Sequence, residues 1–359
     1  MKVYSMNRRF VISALTVLSV GLGVTLPLQS ALASCGAVNC FMVIGSQAGI
    51  PQKGTVTANV IYQNINQGDL IDGTTGIIPA VEIDGREIVI GEHRERSTRT
   101  QITTVDLNVG MTDRFAVQLT LPVVDRSHLH DVEIGTVDEE SRTFNDTGLG
   151  DIRLTGKYNI LSSLANMIVL GFGVELPTGK TMSKTDNTQS TQEASLQIGR
   201  GNVGLIGSVY QTHQIIPQVL SQFASVSYRH TFRNNAGYQF GDEYILGAGL
   251  NWQAWTYLVL TGQVNWRYLV HDNFSSSLRI HEGGTVDSAI TDRRVPTTGS
   301  TTLMFTPGIT IQNIPYIPRT SAYVNMQIPM VRDFNNNLAQ DTSFIFGITH
   351  FFNLFGSEA

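Results

Sequence analysis

The chain has 359 residues, of which 15% are charged, and its formal net charge is −5. A soluble enzyme of this length usually carries more charge, and a net negative chain argues against nucleic acid as a partner. After the first 35 residues, no apolar run reaches the roughly 18 residues that a membrane-spanning helix needs. These numbers argue against a typical soluble enzyme, a nucleic-acid-binding protein and a helical membrane protein.

The first 33 residues have the features of a secretory signal peptide. Lys2, Arg8 and Arg9 form a positive start, and the apolar stretch FVISALTVLSVGLGVTLPL follows them. The tripeptide Ala-Leu-Ala ends at Ala33, which is the expected cleavage site. The mature chain is therefore predicted to begin at residue 34 and to leave the cytoplasm.

Residues 34–53 form a short, apolar but irregular segment that is predicted to lie on the periplasmic side. It contains the two cysteines of the chain, Cys35 and Cys40, and an oxidising periplasm favours a disulfide between them. A second interpretation stays open, because the tetrapeptide LASC also fits a lipidation signal in which Cys35 carries the lipid and forms no disulfide. The segment either plugs the periplasmic mouth of the following domain or lies against its base.

From residue 54 to 355 the sequence predicts β-strands almost throughout, because apolar and polar residues alternate. In the stretch TQITTVDLNVGM, for example, Val105, Leu107 and Val109 fall on one face, and Asp106 and Asn108 fall on the other. The predicted strands lie near 54–65, 100–111, 113–123, 149–160, 166–176, 198–212, 217–231, 240–253, 255–270, 299–312, 318–331 and 341–353.

The connections between these strands alternate in length. Short ones lie at 112, 161–165, 213–216, 254 and 313–317. Long ones lie near 66–99, 124–148, 177–197, 232–239, 271–298 and 332–340. Bacterial outer-membrane barrels have an even strand number, short periplasmic turns and longer outer loops. The sequence therefore predicts an all-β, 12-stranded, antiparallel, up-and-down transmembrane barrel in the outer membrane of a Gram-negative bacterium.

The last predicted strand, TSFIFGITHFFNLF, is rich in aromatic residues. This pattern is typical of chains that the barrel assembly machinery inserts, so that machinery and outer-membrane lipid are the expected partners. Four residues follow Phe355, so the chain does not end on the aromatic residue itself.

Two stretches, DTGLGDIRLTGKY at 146–158 and GFGVELPTGKT at 171–181, resemble the family of meta-pathway phenol-degradation proteins. The resemblance implies an outer-membrane barrel that passes hydrophobic or aromatic solutes. It covers about 35 residues of this chain closely, and the remainder only in pattern.

The polar face of the predicted strands would line the barrel lumen. Its charged members either select a solute along a channel or pair across neighbouring strands and brace the interior. The candidate residues for the solute path are Arg114, Asp151, Arg153, Lys157, Glu175, Arg229, Asn265 and Arg267. The same face is predicted to carry Asn59, Gln63, Asp106, Asn108, Gln118, Glu243, Asn325 and Gln327.

Five of the eight histidines fall in three predicted outer loops, beside acidic residues. His128 and His130 are two residues apart, which in an extended chain puts both rings on one side, as a shared metal ion requires. The candidate metal ligands are His93, His128, His130, His271 and His281.

The sequence predicts a channel or transporter for the passive passage of small solutes, hydrophobic or aromatic ones among them. It predicts no enzyme, because no Gly-x-Ser-x-Gly motif occurs and the spacing of Ser225 and Ser227 from His230 does not set up a hydrogen-bonded pair. No cofactor is expected, apart from a divalent metal at the outer loops. The alternative function is a non-conducting barrel whose outer loops bind metal ions or a partner.

Overall fold

The first and last strands of the sheet pair with each other in a computed structural model of the chain, and this pairing closes the sheet into a barrel. The structure describes residues 49–71, 77–84, 87–132, 135–163, 165–181, 194–235, 237–274, 279–282, 285–287, 295, 298–334 and 337–353. The predicted signal peptide, Cys35 and Cys40 lie outside these residues, and most of the predicted segment 34–53 does too.

Twelve antiparallel barrel strands form the wall, as the sequence predicts. We call each of them a stave, because one is divided into two shorter strands. Eleven of them are β1 (Thr55–Ile71), β3 (Glu87–Gly110), β4 (Phe115–Val132), β7 (Asn166–Leu176), β8 (Gly204–Ile216), β9 (Leu220–Thr231), β11 (Glu243–Trp255), β12 (Leu258–Leu269), β16 (Ser300–Ile311), β17 (Thr320–Asp333) and β19 (Ser343–Asn353). The remaining stave, which follows β4, consists of β5 (Glu140–Leu149) and β6 (Ile152–Ser162).

Shorter strands extend the sheet or lie in the connections between staves. They are β2 (Ile77–Asp84), β10 (Tyr238–Gln239), β13 (Asn273–Phe274), β14 (Arg279–Glu282), β15 (Thr285–Asp287) and β18 (Asn337–Gln340). A 3-10 turn, Ala194–Leu196, precedes β8. Among the described residues, no helix is long and apolar enough to span a membrane.

Side chains alternate between the two faces of the wall, as the sequence pattern predicts. On β1, Asn59 and Gln63 are buried on the inner face, whereas Val60 points outward and is half exposed. On β11, Leu246 and Leu250 are likewise exposed on the outer face. Apolar side chains are stable there because they face lipid, and the closed sheet leaves no unpaired backbone edge within the membrane.

The predicted length of several outer loops is wrong, because strands continue into them. β3 begins at Glu87 and β4 runs to Val132, so the predicted loops 66–99 and 124–148 are largely paired strands. Above the membrane neither face of a strand needs to be apolar, so the alternation that identifies a membrane strand disappears. The strand predicted at 198–212 begins later in the structure, because β8 starts at Gly204.

Candidate solute path

A chain of buried ion pairs runs across the inner wall from β6 to β12. Arg153 Nε lies 2.6 Å from Glu175 Oε2, and Arg229 Nη1 lies 3.3 Å from the same oxygen. Arg229 Nη2 then contacts Glu243 Oε2 at 2.7 Å, and Arg267 Nε contacts Glu243 Oε1 at 2.6 Å. We call these five residues the charged wall.

Register places the members of the charged wall opposite one another. Arg153 pairs with Glu175 across β6 and β7, and Arg229 pairs with Glu243 across β9 and β11. Between these two pairs lies β8, which contributes Gly204. A Cβ at that position would stand 3.2 Å from the Cβ of Glu175. The missing side chain therefore lets Glu175 and Arg229 meet across an intervening strand.

Arg200, which was not predicted from the sequence, meets the charged wall from the connection between β7 and β8, with its Nε 3.7 Å from Glu175 Oε1. Its backbone NH donates to Asp151 Oδ2 at 2.7 Å, and its Nη1 donates to Thr231 Oγ1 at 3.2 Å. Its guanidinium lies 4.7 Å from the centre of the Phe240 ring. Burial, with the neighbouring Arg229, lowers the pKa of Arg200 to about 10.

Asp151 holds both ends of that connection against the wall. Besides the NH of Arg200, its carboxylate accepts the NH of Gly179 at 2.9 Å. Gly179 and Gly199 cross so closely that a Cβ on Gly199 would stand 2.4 Å from the Gly179 oxygen. The quoted motifs around Gly-Leu-Gly-Asp and Pro-Thr-Gly-Lys thus form one structural unit, which we call the outer clasp (residues 148–151, 177–180 and 198–201).

The outer clasp directs residues 194–203 inward, against β4 and β5. Arg126 of β4, which is almost fully buried, donates from Nη1 to the carbonyl oxygen of Gln197 at 3.3 Å. Ile198 is fully buried, and its side chain lies beside Gly148. This segment narrows the outer end of the lumen on one side.

The opposite side of the lumen carries amides and hydroxyls in place of charges. Gln63 Nε2 donates to Gln327 Oε1 at 3.1 Å, and Ser343 Oγ donates to the same oxygen at 3.2 Å. Thr349 Oγ1 donates to Asn59 Oδ1 at 3.0 Å. We call this set of residues on β1, β17 and β19 the amide wall.

Two apolar patches interrupt the polar lining. In the first, Ile61 and Ile345 pack with the Tyr323 ring on the amide side. In the second, Val169, Tyr210 and Phe223 pack together near the periplasmic turns. The lumen therefore presents apolar surface as well as hydrogen-bonding groups.

Most of the residues predicted for the solute path lie on the inner face. Asp151, Lys157 and Asn265 are buried there, in addition to the four predicted residues of the charged wall. Arg114 does not lie there. It sits in the exposed turn before β4, which begins at Phe115, because the tight turn takes up the residues that the pattern assigns to the strand.

The predicted metal ligands lie partly on neighbouring strands. His128 faces inward from β4 and is buried, with Nε2 3.2 Å from Glu95 Oε2 and Nδ1 2.8 Å from Thr98 Oγ1. The prediction of an exposed loop at His128 is therefore wrong, since β4 continues past it. The ring of His130 lies 5.0 Å from that of His128.

The other three histidines do not complete a ligand set within the described residues. His271 contacts the Val295 carbonyl oxygen at 3.2 Å, and the side chains of His93 and His281 lie outside the described part. In that part of the chain, no group of three or more potential ligands is arranged to hold a metal ion. The metal site stays a prediction.

On the lipid-facing side, an aromatic row crosses three staves near the outer rim. The rings of Tyr228 and Tyr244 lie 5.0 Å apart, and those of Tyr244 and Tyr268 lie 6.2 Å apart. Trp266 stacks on Tyr268 at 6.0 Å. Such rows occur where a barrel leaves the hydrocarbon region.

Comparison with solved structures agrees with this architecture. An outer membrane channel from Pseudomonas putida F1 superposes with a TM-score of 0.58 and 10% identity, over 86% of this chain and 100% of that one. The chain is an outer-membrane β-barrel. A monoaromatic hydrocarbon channel, CymD, superposes less well, with a TM-score of 0.40 and 10% identity over 84% of this chain and 90% of that one. No family model and no curated protein matches the sequence.

Proposed function

We propose that the barrel is a channel for the passive passage of small solutes that carry little or no net charge, aromatic and hydrophobic ones among them. The observation that carries the proposal is the charged wall, in which three arginines and two glutamates pair with one another. A wall of this kind offers polar groups to a solute without a strong field of either sign.

The charge balance extends to the outer end of the lumen. Arg153, Arg200, Arg229 and Arg267 are matched in number by Glu175, Glu243, Asp151 and Asp272. Asp272 accepts hydrogen bonds from Tyr238 Oη at 2.6 Å and from the NH of Gly241 at 2.7 Å, and burial raises the pKa of its carboxyl. The amide wall and the two apolar patches complete a lining that suits weakly polar solutes.

Two similarities support the proposal. The Pseudomonas putida protein, which shares the fold, is described as an outer membrane channel. The resemblance of residues 146–158 and 171–181 to the phenol-degradation family points to the same class of solute, and we propose membership of that family. Such a channel needs no catalytic residue and no cofactor. Its partners would be outer-membrane lipid, the assembly machinery and the solute.

Planar-bilayer recording tests this function. Wild-type protein is expected to give discrete conductance steps and, in a salt gradient, a reversal potential close to zero, because arginines and carboxylates are matched in number at the charged wall and its outer end. Replacing Arg153 and Arg267 by Ala leaves Glu175 and Glu243 with fewer partners, so the pore should become cation-selective.

Arg114→Ala is the matched control, since Arg114 is exposed at a turn outside the lumen. It should leave the reversal potential unchanged. Protein that migrates as a folded barrel on a gel without heating, yet gives a silent bilayer, would overturn the channel.

The alternative of a non-conducting barrel with metal-binding outer loops is favoured by no observation on the described residues. The same recordings separate it from the channel, because it predicts a silent bilayer.

A further inference from the structure

A short strap crosses the periplasmic mouth of the barrel just before β1. The strap, residues 49–54, is held to the end of β3 by the NH of Gly54, which donates to the Gly110 carbonyl oxygen at 2.9 Å. A Cβ at position 110 would stand 2.2 Å from the oxygen of Gln52, so glycine is required there for the strap to fit. Asn108 Nδ2 donates to the Gly49 oxygen at 3.5 Å.

The Ile50 side chain of the strap contacts a distant part of the wall. Ile50 packs against Val169, Tyr210 and Phe223, which lie on β7, β8 and β9. β4 and β6 separate β3 from β7 along the sheet. Contacts with both parts of the sheet place the strap inside the lumen, with its one branched apolar side chain against the far wall.

Three buried apolar side chains form the pocket that receives Ile50. Phe223 is fully buried and lies across Gly249, where a Cβ would stand 2.5 Å from the ring. Val169 of β7 and Tyr210 of β8 are also buried. Two aromatic rings and a branched aliphatic chain make an apolar cluster in a lining that is otherwise mainly polar, and Met167 covers another part of it.

We propose that the pocket formed by Val169, Tyr210 and Phe223 is a binding site for the aromatic or apolar part of a solute, and that Ile50 is its intramolecular occupant. The pocket would be a solute subsite of the proposed channel, and its physiological role rests on that proposed function. A solute that reaches the periplasmic end of the lumen competes with Ile50 for the pocket. When the solute binds, the strap loses its contact with the far wall.

Fluorine NMR of 4-fluorophenol, titrated into the purified full-length barrel in detergent, tests the proposal. The apparent affinity of a site falls with the fraction of time that another group fills it. We expect Ile50→Gly to bind the probe about tenfold more tightly than wild type, as removal of a competing occupant predicts. Ile50→Trp, which fills the pocket more completely, should abolish measurable binding.

Gln52→Gly is the matched control, because it loosens the same strap at an exposed side chain that does not reach the pocket. It should bind like wild type. In the Ile50→Gly background, Phe223→Ala should remove the gain in affinity. Folding of each variant is checked by its migration on an unheated gel. If Phe223→Ala does not fold, Val169→Ser is a milder substitution in the same pocket.

Equal binding by wild type, Ile50→Gly and Ile50→Trp would overturn the site, as would a gain in Ile50→Gly that survives both pocket substitutions. Since NMR measures binding without conduction, this result is independent of the bilayer recordings. A silent bilayer together with tighter binding by Ile50→Gly would refute the channel and leave the pocket standing.

Discussion

The two sides of the lumen pair their buried polar side chains in different ways. The charged wall connects β6, β7, β9, β11 and β12 with five long side chains, and it crosses β8 through the gap at Gly204. The amide wall connects β1, β17 and β19 with neutral groups, and Gln63 of β1 reaches Gln327 of β17 past the intervening β19. Both walls satisfy buried polar atoms and link strands that are not adjacent, but only the charged wall does so with ionised side chains.

The difference predicts unequal sensitivity to mutation. A buried charge that loses its partner retains the full cost of desolvation, whereas an amide that loses one bond retains a smaller cost. A single substitution should therefore cost more stability in the charged wall than in the amide wall.

The largest effect is expected from Glu175→Gln. Glu175 is contacted by Arg153, Arg229 and Arg200, so its removal leaves three arginines short of negative charge. Breaking a buried ion pair from one side costs about 3–5 kcal/mol. The free energy of unfolding by urea in lipid vesicles measures it. Glu140→Gln, at an exposed pair with Arg142, is the control and should leave stability unchanged.

A smaller loss is expected from Gln327→Leu on the amide wall. The change removes the acceptor of Gln63 and Ser343, and leaving buried donors without an acceptor costs about 1–3 kcal/mol. The same urea titration applies, with the partly exposed Gln312→Leu as the control. Were this loss to equal or exceed that of Glu175→Gln, the contrast between the two walls would not hold.

The smallest effect is expected from Gly204→Ala, which tests how the charged wall crosses β8. The added Cβ presses on the Glu175 side chain, and slight overpacking costs about 1 kcal/mol. Gly207→Ala on the same strand meets no atom within 4 Å and should be neutral. A neutral result for both would show that the contact between Glu175 and Arg229 does not depend on the gap.

Alternation alone predicted the twelve staves and most inner-face residues, because lipid on one side of a strand imposes a strict period of two. Arg229, Arg267 and Gln327 were assigned to the inner face for this reason alone. Their partners follow from strand register, which alternation does not determine in full.

Arg200 was missed because residues 198–203 were assigned to a strand, although their fold depends on contacts with Asp151 and Gly179. The signal that was present is the cluster of glycines around Asp151, Gly179 and Gly199, which allows two backbone segments to cross. Nor did the sequence show where Ile50 lies, since its partners come from three strands far along the chain.

The length of β3 has a consequence for how this sequence can change over time. The strand has 24 residues, from Glu87 to Gly110, whereas about 9–11 residues suffice to cross the hydrocarbon region. One continuous strand thus passes through two solvents. Near Val105 and Leu107, outward positions must stay apolar, while near Arg96 and Arg99 either face tolerates polar residues. Sequence drift along β3 should therefore be uneven, slow at the end that meets lipid and fast at the end that meets water.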